Sequence, residues 1–195
     1  VPQRRRDSMS TEDRINIDIF KVVSKAIAES DNLGIMTNHL TQLLVGALGI
    51  KACTIFALNP DTNELEVLAS FGLSISYMNK GPVLADKSIG DALKGEPIVI
   101  EDVTKTDKLQ YPKEASKEGI GSMVSLPIRF YGDPIGALRL YHSEPWDISK
   151  RDLESLQLLA DNVALAMMYT RLLNVLQSIK DTIKELPMDV PFFGR

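Results

Sequence analysis

The chain has one cysteine and two histidines, Cys53, His39 and His142, and what these can do bounds its chemistry. A single thiol excludes an intramolecular disulfide framework and every multi-cysteine zinc or iron–sulfur site, and it fits a reducing compartment. Cys53 lies among strand-forming apolar residues and reads as a small buried hydrophobe. His39 falls in a helical stretch and His142 at a strand end, where surface or capping roles are the ordinary ones. Lys105, Asp107 and Lys108 read as a solvated loop, and no nucleophile and base stand at a diagnostic spacing, so no catalytic residue and no metal ligand is assigned. Arg139 is different: its planar fork could clamp a carboxylate or phosphate, although a solvent-facing strand residue is the competing reading.

Composition places these residues in an ordinary globular protein. Of 195 residues, 44% are hydrophobic and 25% charged, which suits one domain with an appended helix. A domain of this size buries roughly 70% of the surface its unfolded chain exposes, so its core needs neither disulfide nor metal. The balance of 22 basic against 26 acidic side chains gives a net charge of −4, which argues against a nucleic-acid partner. No apolar run approaches the ~20 residues that span a bilayer and no secretory signal opens the chain, so a soluble, cytoplasmic protein without membrane association is expected.

Periodicity then places the elements. Residues 1–9, with Arg4, Arg5 and Arg6, read as a disordered or vector-derived arm. Ser10 and Asp13 have capping-box spacing ahead of a first amphipathic helix carrying Ile15, Ile19, Val22, Val23, Ala26 and Ile27. Asp31 or Asn32 caps a second, whose stripe from Leu33 to Ala47 ends at Gly49. Residues 50–58 and 65–71 form a hairpin around Asn59-Pro60-Asp61-Thr62-Asn63, and residues 122–130 and 135–141 a second around Tyr131-Gly132-Asp133-Pro134. Pro127 suggests that the third strand is an edge or carries a bulge. On that strand Val124, Leu126 and Ile128 share one face, assigned to the helices, and Met123, Ser125 and Arg129 the other. About fifty residues separate the hairpins, with a short helix at 88–94, a strand at 97–101 and a helical turn at 111–118. An irregular insertion of that length inside a compact domain points to function.

A final helix capped by Asp147 or Ser149 runs uninterrupted to Pro187. Its first part, with Leu153, Leu156, Leu159, Val163 and Ala166, suits packing on the sheet. Leu165, Tyr169, Leu172, Leu176, Ile179, Ile183 and Leu186 then repeat at four and three, a heptad seam that predicts a homodimer through a coiled coil over 165–186. The competing reading is an amphipathic helix lying along its own domain. Residues 187–195 form a tail.

Four stretches carry a family resemblance: Gly72 closing the second strand; Gly90 followed by Gly95-Glu96-Pro97-Ile98-Val99-Ile100-Glu101-Asp102; Gly119-Ile120-Gly121-Ser122-Met123-Val124-Ser125-Leu126-Pro127; and Gly132-Asp133-Pro134-Ile135-Gly136-Ala137-Leu138. With the element order, they make residues 10–175 resemble a GAF domain, a small-molecule-sensing signalling module, here read as stand-alone. The resemblance implies an α+β, profilin-like fold: an antiparallel sheet with the N- and C-terminal helices on one face and the insertion roofing a pocket on the other. Cyclic-nucleotide members carry an Asn-Lys pair, a Phe and an Asp-Glu pair. This chain has Tyr141-His142, Trp146 and Asp152-Leu153 instead, so that motif is mostly missing. Bilin attachment would need a pocket cysteine, the sulfoxide-reductase members of the fold need paired thiols, and haem would need an axial imidazole; none of these is assigned here, and no cofactor is expected.

What the resemblance leaves is a pocket for an organic metabolite, with Thr54, Ser70, Tyr77, Asp102, Tyr111, Met123, Ser125, Arg139 and Tyr141 as candidate lining residues. The expected function is that of a sensory domain of bacterial-type signalling, not an enzyme. It would bind an unidentified small molecule and relay that event through its dimerisation helices to a partner protein in trans. The alternative is a ligand-free structural module serving dimerisation and partner docking.

Overall fold

The computed structural model describes residue 15 and residues 17–30, 32–85 and 96–185. The candidate capping box at Ser10 and Asp13, the helix expected at 88–94, Leu186 and the tail lie outside the described residues. The elements are α1 (Ile17–Ala28), α2 (Leu33–Leu48), β1 (Ala52–Asn59), β2 (Glu64–Phe71), α3 (Ile75–Met78), β3 (Val83–Leu84), β4 (Ile98–Ile100), a 3-10 turn (Val103–Lys105), α4 (Pro112–Glu118), β5 (Ser122–Phe130), β6 (Asp133–His142) and α5 (Lys150–Glu185). The strands form one six-stranded sheet in the order β3-β2-β1-β6-β5-β4, with every neighbouring pair antiparallel.

Local chemistry accounts for the boundaries. Asn32 caps α2, its side-chain oxygen accepting from the Ile35 amide at 3.1 Å, and Gly49 ends the helix in the left-handed region at φ 61°. In the first turn the Asn59 side chain accepts from the amides of Asp61 and Thr62. The second turn is tighter than the sequence suggests. Tyr131 and Gly132, at φ 52° and 90°, form a two-residue loop whose twist matches the flanking strands, so Asp133 and Pro134 already belong to β6. Ser149 rather than Asp147 caps α5, its Oγ accepting from the Asp152 amide at 3.0 Å.

Side-chain alternation divides the sheet into two environments. On one face Cys53, Ile55, Val124, Leu126, Ile128, Leu138 and Leu140 join Ile19, Val23, Met36, Leu40, Leu44, Leu156, Leu159 and Val163 in the main core. There α2 lies on β1 and β2, α5 lies on β5, and α1 touches both helices. The other face carries a second cluster of Ala52, Tyr77, Ile100, Val103, Ala115, Ile120, Met123 and Tyr141 beneath α3, the 3-10 turn and α4.

On β5 one expectation is met and one is corrected. Pro127 marks a bulge and a local edge: β4 covers only Met123 to Ser125, so at Pro127 the missing amide interrupts no bond to it, and the strand bulges just after, between Ile128 and Arg129. Arg129 does not share the face of Met123 and Ser125. A bulge between Ile128 and Arg129 resets the alternation, and the guanidinium reaches Asp161 of α5 at 3.4 Å.

The helix α5 spans ~54 Å at about 1.5 Å per residue. One side of roughly its first six turns is rooted in the core down to Thr170, whereas Leu165, Tyr169, Leu172, Leu176, Ile179 and Ile183 are 51–62% exposed. The seam therefore does not lie along its own domain. At the root, buried Asp152 accepts from the Ile15 amide at 3.1 Å, tying the start of α5 to the residue that leads into α1.

Gly136 is held by a close approach: a Cβ there would meet the Phe56 carbonyl oxygen at 2.1 Å on β1. Gly136→Ala should therefore push β1 from β6 and lower stability by about 1–3 kcal/mol, read as a lower urea midpoint; an unchanged midpoint would contradict the contact. Asp152→Ala, which strands the Ile15 amide, should cost about 1–3 kcal/mol and speed hydrogen exchange through α1 before it does so in the strands.

Candidate functional site

Pairing across the sheet sets the site. Thr54 on β1 is opposite Ser70 on β2 and Arg139 on β6, and Arg139 is opposite Ser125 on β5. Four polar residues proposed separately from the sequence thus stand in one row across four strands, on the face away from the terminal helices. One residue pair further along, Ala52, Tyr141, Met123 and Ile100 form the next row on that face.

Thr54, Ser125 and Arg139 are buried and Ser70 is half-buried, and the row is internally bonded. Thr54 Oγ1 and Ser70 Oγ are 2.9 Å apart, and Arg139 Nε donates to Ser125 Oγ at 2.8 Å. Arg139 is 4% exposed, which corrects the reading of a solvent-facing strand residue, and its guanidinium lies 5.2 Å from the centroid of the Phe56 ring. Tyr141 is fully buried, and its hydroxyl forms no hydrogen bond of normal geometry among the described residues, although Thr54 and Arg139 are near enough to favour its ionised form. Burial outweighs them and pushes the Tyr141 phenol up, so it stays protonated and can donate.

The roof is built from short capped pieces. Ser74 caps α3, accepting from the Tyr77 amide, while Glu118 at the end of α4 accepts from the Ser74 amide at 2.9 Å and from its hydroxyl. Tyr77 projects from α3 and meets Tyr141 edge-on, with ring centroids 6.2 Å apart. Tyr111 lies against Gly81, where a Cβ would meet its hydroxyl at 2.7 Å, and donates to the Pro82 carbonyl at 2.7 Å. Gln110 donates to the same carbonyl and accepts from the Leu84 amide. Asp102 caps the 3-10 turn through Thr104, with Lys105 at 3.0 Å; the bonds from the Thr104 side chain, from Lys105 and from the Thr104 amide bring its carboxyl down to about 2. Of the nine candidates, then, Thr54, Ser70, Tyr77, Met123, Ser125, Arg139 and Tyr141 share the buried face, and Asp102 and Tyr111 hold the loops above it.

Lys80 and Phe56 were not anticipated. Phe56 could have been found from strand parity, since it is two residues from Thr54. Lys80 carries only its spacing of three from Tyr77 as a signal: its Nζ lies 4.0 Å over the Tyr77 ring and donates to the Tyr77 carbonyl. Burial, with help from the Arg139 charge, lowers the Lys80 ammonium to about 8, against the opposing pull of Glu118 and Glu114. Cys53 faces the helices, and burial pushes its thiol up. His39 is exposed, and His142 contacts the backbone of Glu144. On the helix side, open grooves of about 580 Å³ and 290 Å³ lie between α5 and the β1–β2 turn and between α1 and α5.

Comparison with known proteins bears on the whole arrangement. The family model for the GAF domain matches residues 30–168. Among solved structures, the chain is similar to the GAF domain of a phosphoenolpyruvate-protein phosphotransferase from Coxiella burnetii, at 19% identity and a TM-score of 0.71, covering 82% of this chain and 96% of that one. The corresponding domain from Acinetobacter is 15% identical with a TM-score of 0.68, covering 81% and 96%. A free methionine-R-sulfoxide reductase from Neisseria meningitidis, solved in complex with its substrate, is 17% identical with a TM-score of 0.66, covering 78% and 90%. No curated protein sequence matches the chain. With the family model spanning well over half of its length and an antiparallel sheet that separates helices from roof, the chain belongs to the GAF domain family.

Proposed function

We propose that this chain is a cytoplasmic sensory domain that binds a small organic metabolite between the sheet and the α3–α4 segment and relays its binding through α1 and α5. The polar row Ser70, Thr54, Arg139 and Ser125, buried except for the half-buried Ser70, carries this reading. A sheet face that only filled space would be aliphatic, like the opposite face, because burying polar groups costs free energy unless each is matched. A few hydrogen-bonding groups set among apolar walls are what a small-molecule site requires. The role is one of binding rather than catalysis, since the one cysteine thiol faces the helices and is held protonated by burial.

The output half of the proposal is a homodimer. Six seam residues on α5, aliphatic but for Tyr169, are more than half exposed, and Leu165 and Tyr169 also border the groove between α1 and α5. Pairing with a second copy would cover both, and a signalling partner would read the paired helices. A ligand would then act by population shift, limited by its differential affinity for two arrangements of the roof.

The second reading, an interaction module without ligand, has its own observation: Tyr77, Met123 and Tyr141 are all nearly inaccessible and belong to one cluster beneath α3 and α4. A thermal-shift screen of metabolites separates the two. A binding compound should raise the melting temperature with concentration, by the equivalent of about 2.7 kcal/mol at a hundred times its Kd. A broad screen without any shift would favour the interaction module. Sedimentation tests the output half: the wild-type chain should run as a dimer and the double variant Leu176→Glu, Ile179→Glu as a monomer. A monomeric wild type, or a variant of unchanged mass, would defeat the dimer.

A further inference from the structure

Granting the homodimer through α5, on which this inference rests, we propose that its two helices pair parallel and in register, and that Asn162 meeting Asn162 of the partner subunit fixes that arrangement. The exposed seam begins earlier than its aliphatic run. Leu158, 57% exposed, precedes Leu165 by one heptad, and exposed Asn162 precedes Tyr169 by one. The d positions are thus Leu158, Leu165, Leu172 and Ile179, and the a positions Asn162, Tyr169, Leu176 and Ile183. Arg151, at the next d position toward the start of the helix, ends the series. A second copy of the chain suits this surface. With Leu158 and Val175, the six exposed seam residues of the heptad run are 50–62% exposed, and together they offer about the 800 Å² that each partner of a standard interface buries. No a or d position from Leu158 to Ile183 is charged, and the flanking e and g positions carry only Asp161 and Lys180. In-register pairing sets these against Ala166 and Val175 of the partner subunit, so no like charges meet.

Asn162 decides the orientation. Its Nδ2 donates to the Leu158 carbonyl at 2.9 Å, which leaves one N–H and the amide oxygen of the side chain for a partner. In a parallel, in-register pair an a position faces its own copy, so the N–H of one Asn162 can donate to the oxygen of the other. An antiparallel pair faces a with d. Overlapping the same stretch head to tail sets Asn162 against Ile179 of the partner subunit, where the amide loses water and gains no bond. A parallel pair slipped by one heptad separates the two amides as well. A single polar a position therefore opposes both alternatives, at some cost in stability. The local surface agrees. A d side chain enters a hole made by four residues of the facing helix, and for Leu165 of the partner subunit these are Asn162, Leu165, Ala166 and Tyr169. The same four line the α5 side of the groove of about 290 Å³, whose other wall is Ser24 and Ile27 of α1.

Two measurements on the whole chain at pH 7 test this. A nitroxide on Lys184→Cys reports orientation by spin–spin distance, since Cys53 is buried away from the labelling reagent. Parallel helices packed about 8–10 Å apart hold the two labels at one level. The antiparallel overlap separates them by about 40 Å along the axis. A single short distance is expected, and a long or mixed distribution would overturn the proposal. The second measurement exchanges charge at Asn162, which is exposed in the single chain and so accepts substitution without unfolding it. Asn162→Glu and Asn162→Lys should each dimerise about tenfold more weakly than wild type, or worse, because like charges meet across the seam. An equimolar mixture of the two should recover most of that loss in sedimentation. In the antiparallel arrangement the two substituted positions lie about 25 Å apart, and mixing would restore nothing. If mixing fails to restore association, or if each variant alone dimerises as tightly as wild type, the parallel assignment falls while the dimer stands. A monomeric wild type defeats both.

Discussion

The constraint on which the structure depends is the alternation of side chains along β1, β6 and β5 as far as its bulge after Ile128. Successive residues of a strand point to opposite faces, so one set must satisfy the helices and the other must satisfy the roof. Cys53, Ile55, Val124, Leu126, Leu138 and Leu140 form the first set and Thr54, Met123, Ser125, Arg139 and Tyr141 the second. A one-residue slip of β6 would drive the Arg139 guanidinium into the aliphatic core and lift Leu138 into the polar row. The close approach at Gly136 opposes such a slip, because the β1 carbonyl that occupies the space of its absent side chain admits no other residue there.

Much of this was legible in the sequence because its physics is local. Caps, left-handed glycines and hairpin turns are decided within four or five residues, and Asn32, Gly49 and Ser149 act where they were expected to. Parity along β5 was readable as far as Ile128. It failed at Arg129 because the bulge depends on how β5 meets β6, a non-local property that no spacing within β5 encodes. Pro127 was readable as a sign of an edge or a bulge, but not how far the outer side of β5 is covered, because that depends on the length of its neighbour, and β4 is only three residues long.

The site was legible as a set of residues but not as a geometry. Thr54, Ser70, Ser125 and Arg139 belong to four strands, and only register places them in one row. Nothing in the sequence distinguished Arg139 from an outward-facing strand arginine, because its burial follows from residues that only the fold brings to it, Ser125 on β5 and Phe56 on β1 among them. Asp102 and Tyr111 show the opposite limit. They are polar and in the insertion, yet their hydrogen bonds are spent on a 3-10 turn and on the Pro82 carbonyl. Within a roof of short segments, capping and anchoring compete with ligand contact for the same polar side chains, and composition does not reveal which wins.

The roof and the root of α5 share more than the sheet. Glu101, just past β4, accepts from the Trp146 amide, and Ser122 at the start of β5 donates to the Glu144 carbonyl. The segment that leads into α5 is thus fastened to the same strand ends that carry Ile100 and Met123 beneath the roof. Three residues beyond Trp146, Ser149 caps α5, and Asp152 in its first turn holds the Ile15 amide ahead of α1. Under the proposed function, a rearrangement above Met123 and Tyr141 would reach the origin of both terminal helices through this series of backbone and side-chain hydrogen bonds, beside the core to which Trp146 and Ile15 belong. Close-packed interiors resist graded deformation, so a relay of this kind would act by exchanging hydrogen bonds at the helix origins. A small displacement at the root of α5 is then carried outward along a rod about 54 Å long.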